Sequence, residues 1–318
     1  MSSQSRNPKL ERTLERFKLK IDQGSYYEAS LTIQTIVSRY VKMKNYNDSI
    51  ELLYHAALTL LELKQSAPGC ELFLKLIDLL KNLDGDHNNY DLYLKQQLPK
   101  FLQLLQEIPK DDPALSDIAK ELITYSISIT PYKLGDPILN FNIGKKFLMS
   151  GNMENYYKAE QFLILSGDND NALDLYIELL HQWYLNDETK DFTTYFIRLI
   201  INYLYVGNIK FALKGFKKLV DKLELKNYTL KENGFLLFEN EKLLNFLQLL
   251  IRVIQRSEKG SFNIFKNLIN RYKELLLERN LLNPLNYLSK LYFNETILQQ
   301  QNNDIFQNLM SGFLRGNN

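Results

Sequence analysis

Apolar residues recur along this chain at intervals of three and four almost without interruption. In PKLERTLERFKLKIDQG (8–24), Leu10, Leu14, Phe17 and Ile21 are spaced four, three and four apart. On a helix turning 100° per residue such positions form one stripe. The same spacing predicts helices over about 25–42, 46–64, 68–81, 89–106, 113–128, 137–149 and 153–165. Further ones follow over 170–185, 189–206, 208–223, 241–256, 261–278 and 284–293. Stop signals separate them: Gly24, Pro68-Gly69, DGDHNN (84–89), IPKDDP (108–113) and YKLGDP (132–137).

Several helices restart in one way. Gly24/Ala29, Gly167/Ala172 and Gly207/Ala212 each place glycine at a start and alanine five residues on, and Lys44/Ser49 is a weaker copy. Glycine supplies a tight turn, and the small residue lets the new helix approach its neighbour closely. With such short connections, successive helices form antiparallel hairpins. The expected fold is all-α, a right-handed α-solenoid of stacked helix pairs related to tetratricopeptide arrays.

One segment departs from that period. NYTLKENGFLLFENE (227–241) places Asn233-Gly234 between two apolar, β-favouring runs, which predicts a β-hairpin near 227–240. Alternation separates Phe235 and Leu237 from Leu236 and Phe238, so both faces are apolar. An isolated hairpin is marginal in water, so one face rests on the chain itself and the other either calls for a partner or is also tucked into the chain's own core. The next helix, LLNFLQLLIRVIQR (243–256), is apolar almost all round and predicts contact on more than one side. The end of the chain, from 296, is Asn/Gln-rich and predicts a flexible tail, with an apolar cluster from Ile305 to Leu314.

Composition narrows the function. The 318 residues are 45% hydrophobic and hold one cysteine, Cys70, which excludes an internal disulfide and fits a reducing compartment. No apolar leader opens the sequence, and the most apolar window carries Asn245, Gln248 and Arg252, so a cytosolic protein without membrane insertion is expected. His55, His87 and His181 are scattered, with no metal-ligand spacing. Gly144-Lys145-Lys146 lacks the spacing of a phosphate loop. Cys70 follows Pro-Gly at a helix start, where the dipole could lower its pKa, but no histidine is paired with it. No catalytic constellation, metal site or cofactor motif emerges, and a non-enzyme is expected.

Charge is uneven. Net charge is +2, yet residues 1–44 hold nine lysines and arginines against four acids. Lys9, Arg12, Arg16 and Lys20 fall opposite the first apolar stripe, and Arg39 and Lys42 lie three apart late in the second helix. Glu71 and Asp78 share a face of the fourth, with Lys75 between them as an i,i+4 partner for Glu71. A basic end on a near-neutral solenoid suits an acidic protein surface better than nucleic acid, since no aromatics interleave the cations. The residues alone leave open a docking adaptor, a scaffold subunit of another cytosolic assembly, and a nucleic-acid-binding helical repeat.

GSYYEASLTIQTIVSRYVKMKNYNDSIELL, YKLGDPILN, SGDNDNALDLYIELL, LLNFLQLLIRVIQ and LMSGFLRG occur in that order over about residues 9–315. Together they resemble the Golgi to ER traffic protein 4 family of the guided-entry-of-tail-anchored-proteins (GET) pathway, in its fungal form. The resemblance implies a non-enzymatic adaptor. Its N-terminal half (1–150) would dock a homodimeric targeting ATPase in the ATP-bound state, transiently and salt-sensitively. Its C-terminal half (151–295) would hold a ubiquitin-like-domain protein stably, with a co-chaperone engaged indirectly. By the same resemblance Arg12, Arg16, Arg39 and Lys42 are ATPase-binding, and Glu71 and Asp78 restrain ATP hydrolysis. Lys42 stands where the fungal relative compared has Arg, and Glu71 where it has Asp. Tyr228, Phe235, Leu237, Phe238, Leu244 and Leu247 are the residues expected to hold the ubiquitin-like partner.

Overall fold

The computed structural model describes residues 8–83, 89–257 and 260–298. The chain divides into two compact units, 1–179 and 180–318. The division falls within α10.

The first unit starts with α1 (Pro8–Asp22), α2 (Tyr26–Lys42), α3 (Tyr46–Glu62) and α4 (Ser66–Lys81). A short α5 (Tyr90–Leu92) runs through a π-helical turn (Tyr93–Gln97) into α6 (Leu98–Glu107). Then come α7 (Leu115–Ile129), α8 (Pro137–Leu148), α9 (Met153–Ile164) and α10 (Asp170–Asn186). Its aromatic centre is Phe73, Tyr93, Phe101 and Tyr125, ring centroids 5.9–6.5 Å apart. The second unit contains α11 (Phe192–Tyr205), α12 (Ile209–Lys222), strands β1 (Tyr228–Leu230) and β2 (Leu236–Phe238), and α13 (Lys242–Gln255). It continues with α14 (Ser261–Arg271), α15 (Lys273–Glu278) and α16 (Leu282–Phe293). Each unit is a solenoid-like stack of helix hairpins, and the fold is all-α apart from the β1–β2 hairpin.

The repeated restart has a common backbone cause. Gly24, Lys44, Lys64, Gly207, Glu224 and Asn280 all sit in the left-handed region, with φ between 52° and 77°. Each closes its helix with the same two bonds. Lys44 N–H donates to the Val41 carbonyl three residues back, and Asn45 N–H donates to the Tyr40 carbonyl five back, both at 2.9 Å. This is the Schellman closure, which satisfies carbonyls left over at a helix end. Two of the six, Lys64 and Glu224, carry no glycine-like signal in the sequence, whereas Asn280 is the residue type that most often replaces glycine there. The small residues that follow do seat the new helix: Ala29, Ser49, Ala172 and Ala212 are at most 1% exposed.

Two expected boundaries move. Pro68-Gly69 is not a break but lies in the first turn of α4. A proline there forfeits only an N–H that has no intrahelical acceptor. Gly69 lets α4 close on α3, since a Cβ there would stand 2.7 Å from Leu61 Cγ. The single helix expected over 261–278 is two, jointed at Tyr272, whose ring packs on Phe246 at 5.4 Å. The expected tail from 299 onward, its apolar cluster and His87 lie outside the described residues.

Candidate functional site: a basic helix hairpin and a clasped β-hairpin

The first candidate surface is built by α1, α2 and α4. Phe17 is the buried anchor of α1, at 2% exposure, and it turns Arg12 and Arg16 outward. On α2, Ala29, Ser30, Ile33, Val37 and Tyr40 face the core, which leaves Arg39 and Lys42 in solvent. The Gln23–Ser25 turn reverses the chain, so the N-terminal part of α1 lies beside the C-terminal part of α2. Among the described residues, none of Arg12, Arg16, Arg39 and Lys42 has an acidic partner within 4.0 Å. Lys20 differs from them: it is paired with Glu28 at 3.0 Å. The Lys9 side chain lies outside the described residues. Four uncompensated cations on one hairpin attract a carboxylate-bearing surface within a Debye length of about 8 Å at physiological salt.

Glu71 and Asp78 are both exposed on α4, two helical turns apart. Glu71 is not paired with Lys75, as its spacing predicts. Its Oε1 instead accepts a hydrogen bond of 2.9 Å from Gln34 Nε2 on α2, which packs across α4. Asp78 Oδ1 accepts from Asn82 Nδ2 at 3.1 Å within its own helix region.

Cys70 belongs to the core beneath this face rather than to a reactive site. The thiol is 1% exposed, and burial, with Asp112 nearby, pushes it up to about 11, the reverse of the lowering expected from the helix start. Gly144 is an interior residue of α8 packed on Leu163 and Ala159, not part of a phosphate loop.

The second surface is the β-hairpin. Its register is Tyr228↔Phe238, Thr229↔Leu237 and Leu230↔Leu236. The turn is a three-residue loop, not the two-residue turn that Asn-Gly most strongly favours. Gly234 N–H donates to the Lys231 carbonyl at 2.8 Å, and Lys231 N–H donates to the Phe235 carbonyl at 2.9 Å. Gly234 alone in the loop takes a positive φ, 74°, which makes a type I turn with a following left-handed bulge residue.

The hairpin is held by a polar row on an otherwise apolar helix. Gln248 Oε1 accepts from Leu236 N–H at 3.0 Å while its Nε2 donates to the Leu236 carbonyl at 2.8 Å. Asn245 does the same for Phe238, at 3.0 and 2.6 Å. These amides occupy the edge of β2 that β1 leaves open, standing in for a third strand. One turn further on, Arg252 donates to the Asn233 carbonyl at 3.0 Å and lies 5.2 Å from the Phe235 ring centre. Asn245, Gln248 and Arg252 are spaced three and four apart, so one helix face carries the whole clasp. Sequence reasoning read these polar residues only as evidence against a membrane span.

This clasp decides which apolar residues remain available. Leu244 and Leu247 are 0% exposed, and Phe238 is 3% exposed. All three are therefore corrected from partner-contact candidates to internal packing, because α11, α12, α14 and β2 cover α13 from several directions. The all-round apolar character of α13 is satisfied by its own chain. Tyr228, Phe235 and Leu237 stay half-exposed. Leu230, which the sequence reading did not single out, is 65% exposed.

The family described as GET4: Golgi to ER traffic protein 4 matches residues 43–314. Golgi to ER traffic protein 4 of Aspergillus fumigatus is 29% identical, the match spanning 92% of this chain and 87% of that protein. Golgi to ER traffic protein 4 of Schizosaccharomyces pombe is 26% identical, spanning 91% of each. In fold, the crystal structure of C. therm. Get4 superposes with a TM-score of 0.76 at 24% identity, covering 97% of this chain and 96% of that one. A match over most of the chain's length, in both sequence and fold, makes this protein a member of the Golgi to ER traffic protein 4 family.

Proposed function

We propose that the chain is a non-enzymatic, cytosolic adaptor of the GET pathway. It bridges a ubiquitin-like-domain protein, with its co-chaperone, to the ATP-bound homodimeric targeting ATPase that delivers tail-anchored proteins to the endoplasmic reticulum. The observation that carries this reading is the set of four exposed cations, Arg12, Arg16, Arg39 and Lys42, which have no acidic partner among the described residues. Such charges cost little to desolvate at a rim and speed encounter with an acidic surface, which suits a transient contact. Glu71 and Asp78, on the neighbouring α4, then bear on the docked ATPase and restrain hydrolysis. The half-exposed Tyr228, Phe235 and Leu237 suit a longer-lived apolar contact, worth roughly 25 cal/mol per Å² buried. The 1–150 half serves the first partner and the 151–295 half the second.

Calorimetric titration into the ATP-loaded ATPase at two salt concentrations tests the docking face. Wild-type binding should weaken with salt and vanish in an Arg12→Glu/Arg16→Glu variant. Binding indifferent to both would remove the basic hairpin as the docking face. No wild-type binding would remove the adaptor reading.

A further inference from the structure

We propose that Gln34 is the positioning residue for Glu71. The inference rests on the regulatory reading of Glu71 just given. An exposed glutamate has three side-chain torsions and would spread its carboxylate over many rotamers. Here one oxygen is held. Gln34 Nε2 donates to Glu71 Oε1 at 2.9 Å, reaching from α2 to α4. The same nitrogen lies 3.3 Å from Ser30 Oγ, and Ser30 is 0% exposed. The amide thus touches a buried hydroxyl of its own helix and reaches α4 through Glu71. Among the described residues Glu71 Oε2 has no hydrogen-bond partner and stays available to a cation or N–H group of the docked ATPase.

The arrangement distinguishes the two acids. Asp78 is held from Asn82, four residues along the chain, whereas Glu71 is held from the helix that carries Arg39 and Lys42. Gln34 therefore keeps the acid in fixed register with half of the basic docking row. Removing it should leave docking intact and loosen the restraint on hydrolysis.

The test separates affinity from turnover. Gln34→Leu and Gln34→Glu, with Glu71→Ala and the Gln34→Leu/Glu71→Ala double variant, are titrated into the ATP-loaded ATPase while its hydrolysis is followed. Gln34→Leu should bind within about twofold of wild type with an unchanged salt dependence, whereas Gln34→Glu adds a negative charge to the helix of Arg39 and Lys42 and should bind more weakly than Gln34→Leu. Both variants should lose restraint by about three- to tenfold, roughly one to two freed torsions of three wells each. The double variant should match Glu71→Ala alone. Full restraint in both Gln34 variants, or a double variant worse than either single, would overturn the proposal. In the free chain, Glu71→Ala should shift the Gln34 side-chain amide proton resonances; unmoved resonances would also overturn it. If wild type does not restrain hydrolysis while those resonances do shift, the regulatory reading of Glu71 fails and the Gln34–Glu71 tie survives.

Discussion

Gln248 grips Leu236 by both of its backbone polar groups, accepting from the N–H at 3.0 Å and donating to the carbonyl at 2.8 Å. Leu236 is 9% exposed, so neither group has ready access to water once the amide is gone. Gln248→Leu should therefore lower stability by about 2–4 kcal/mol, the cost of leaving buried donors and acceptors unmade. Urea unfolding measures it. Hydrogen exchange should quicken at the Leu236 and Phe238 amides before the α13 amides are affected, because the strand loses its edge while the helix keeps its packing.

The hairpin also separates binding from folding. Phe235→Ala and Leu237→Ala remove half-exposed side chains and should weaken capture of the proposed ubiquitin-like partner with only a modest loss of stability. Leu244→Ala and Leu247→Ala open cavities at fully buried positions and should cost roughly 2–5 kcal/mol of stability. Paired pull-down and urea midpoints for the four variants check this. Strong loss of capture by Leu247→Ala at unchanged midpoint would contradict the packing described for α13.

Lys44 and Lys64 pay a steric cost at φ 57° and 61° that glycine would avoid. Lys44→Gly and Lys64→Gly should each stabilise the first unit by about 0.5–1 kcal/mol, reduced by the greater freedom of glycine in the unfolded chain. Gly24→Ala at φ 73° should act in the opposite direction. Urea midpoints of the three variants decide the sign.

Cys70 supplies a pH dependence at the alkaline end. Burial raises its pKa from 9.0 to about 11, so between those values the folded chain retains a proton that the unfolded chain has shed. The stabilisation is complete below about 9 and is lost as pH rises through about 11. The stability difference between wild type and Cys70→Ala should therefore change in favour of Cys70→Ala across that window. For the same reason the native thiol should resist alkylation at neutral pH and react only as the chain unfolds.

Helical period, hairpin and outward charge were all legible in the sequence, because each depends on local geometry. A stripe such as Leu14, Phe17 and Ile21 fixes the phase of α1, and the phase alone sends Arg12 and Arg16 outward. Asn233-Gly234 announced a hairpin because few residues tolerate the backbone that its turn needs, although the turn type differed. The left-handed closures at Lys64 and Glu224 were less visible, since neither residue type favours that backbone region.

Tertiary structure alone decided what the long-range contacts do. Nothing in the spacing of α13 says that Asn245 and Gln248 would reach across to β2, or that the surrounding helices would make Leu244 and Leu247 core. Nor does anything in α4 say that Glu71 would choose Gln34, 37 residues away, over Lys75 one turn along. A thiol placed at a helix start was raised, not lowered, because neighbouring helices excluded water from it. Periodicity specifies which face of a helix is apolar; only the packed fold specifies what covers that face, and so which of its residues remain for a partner.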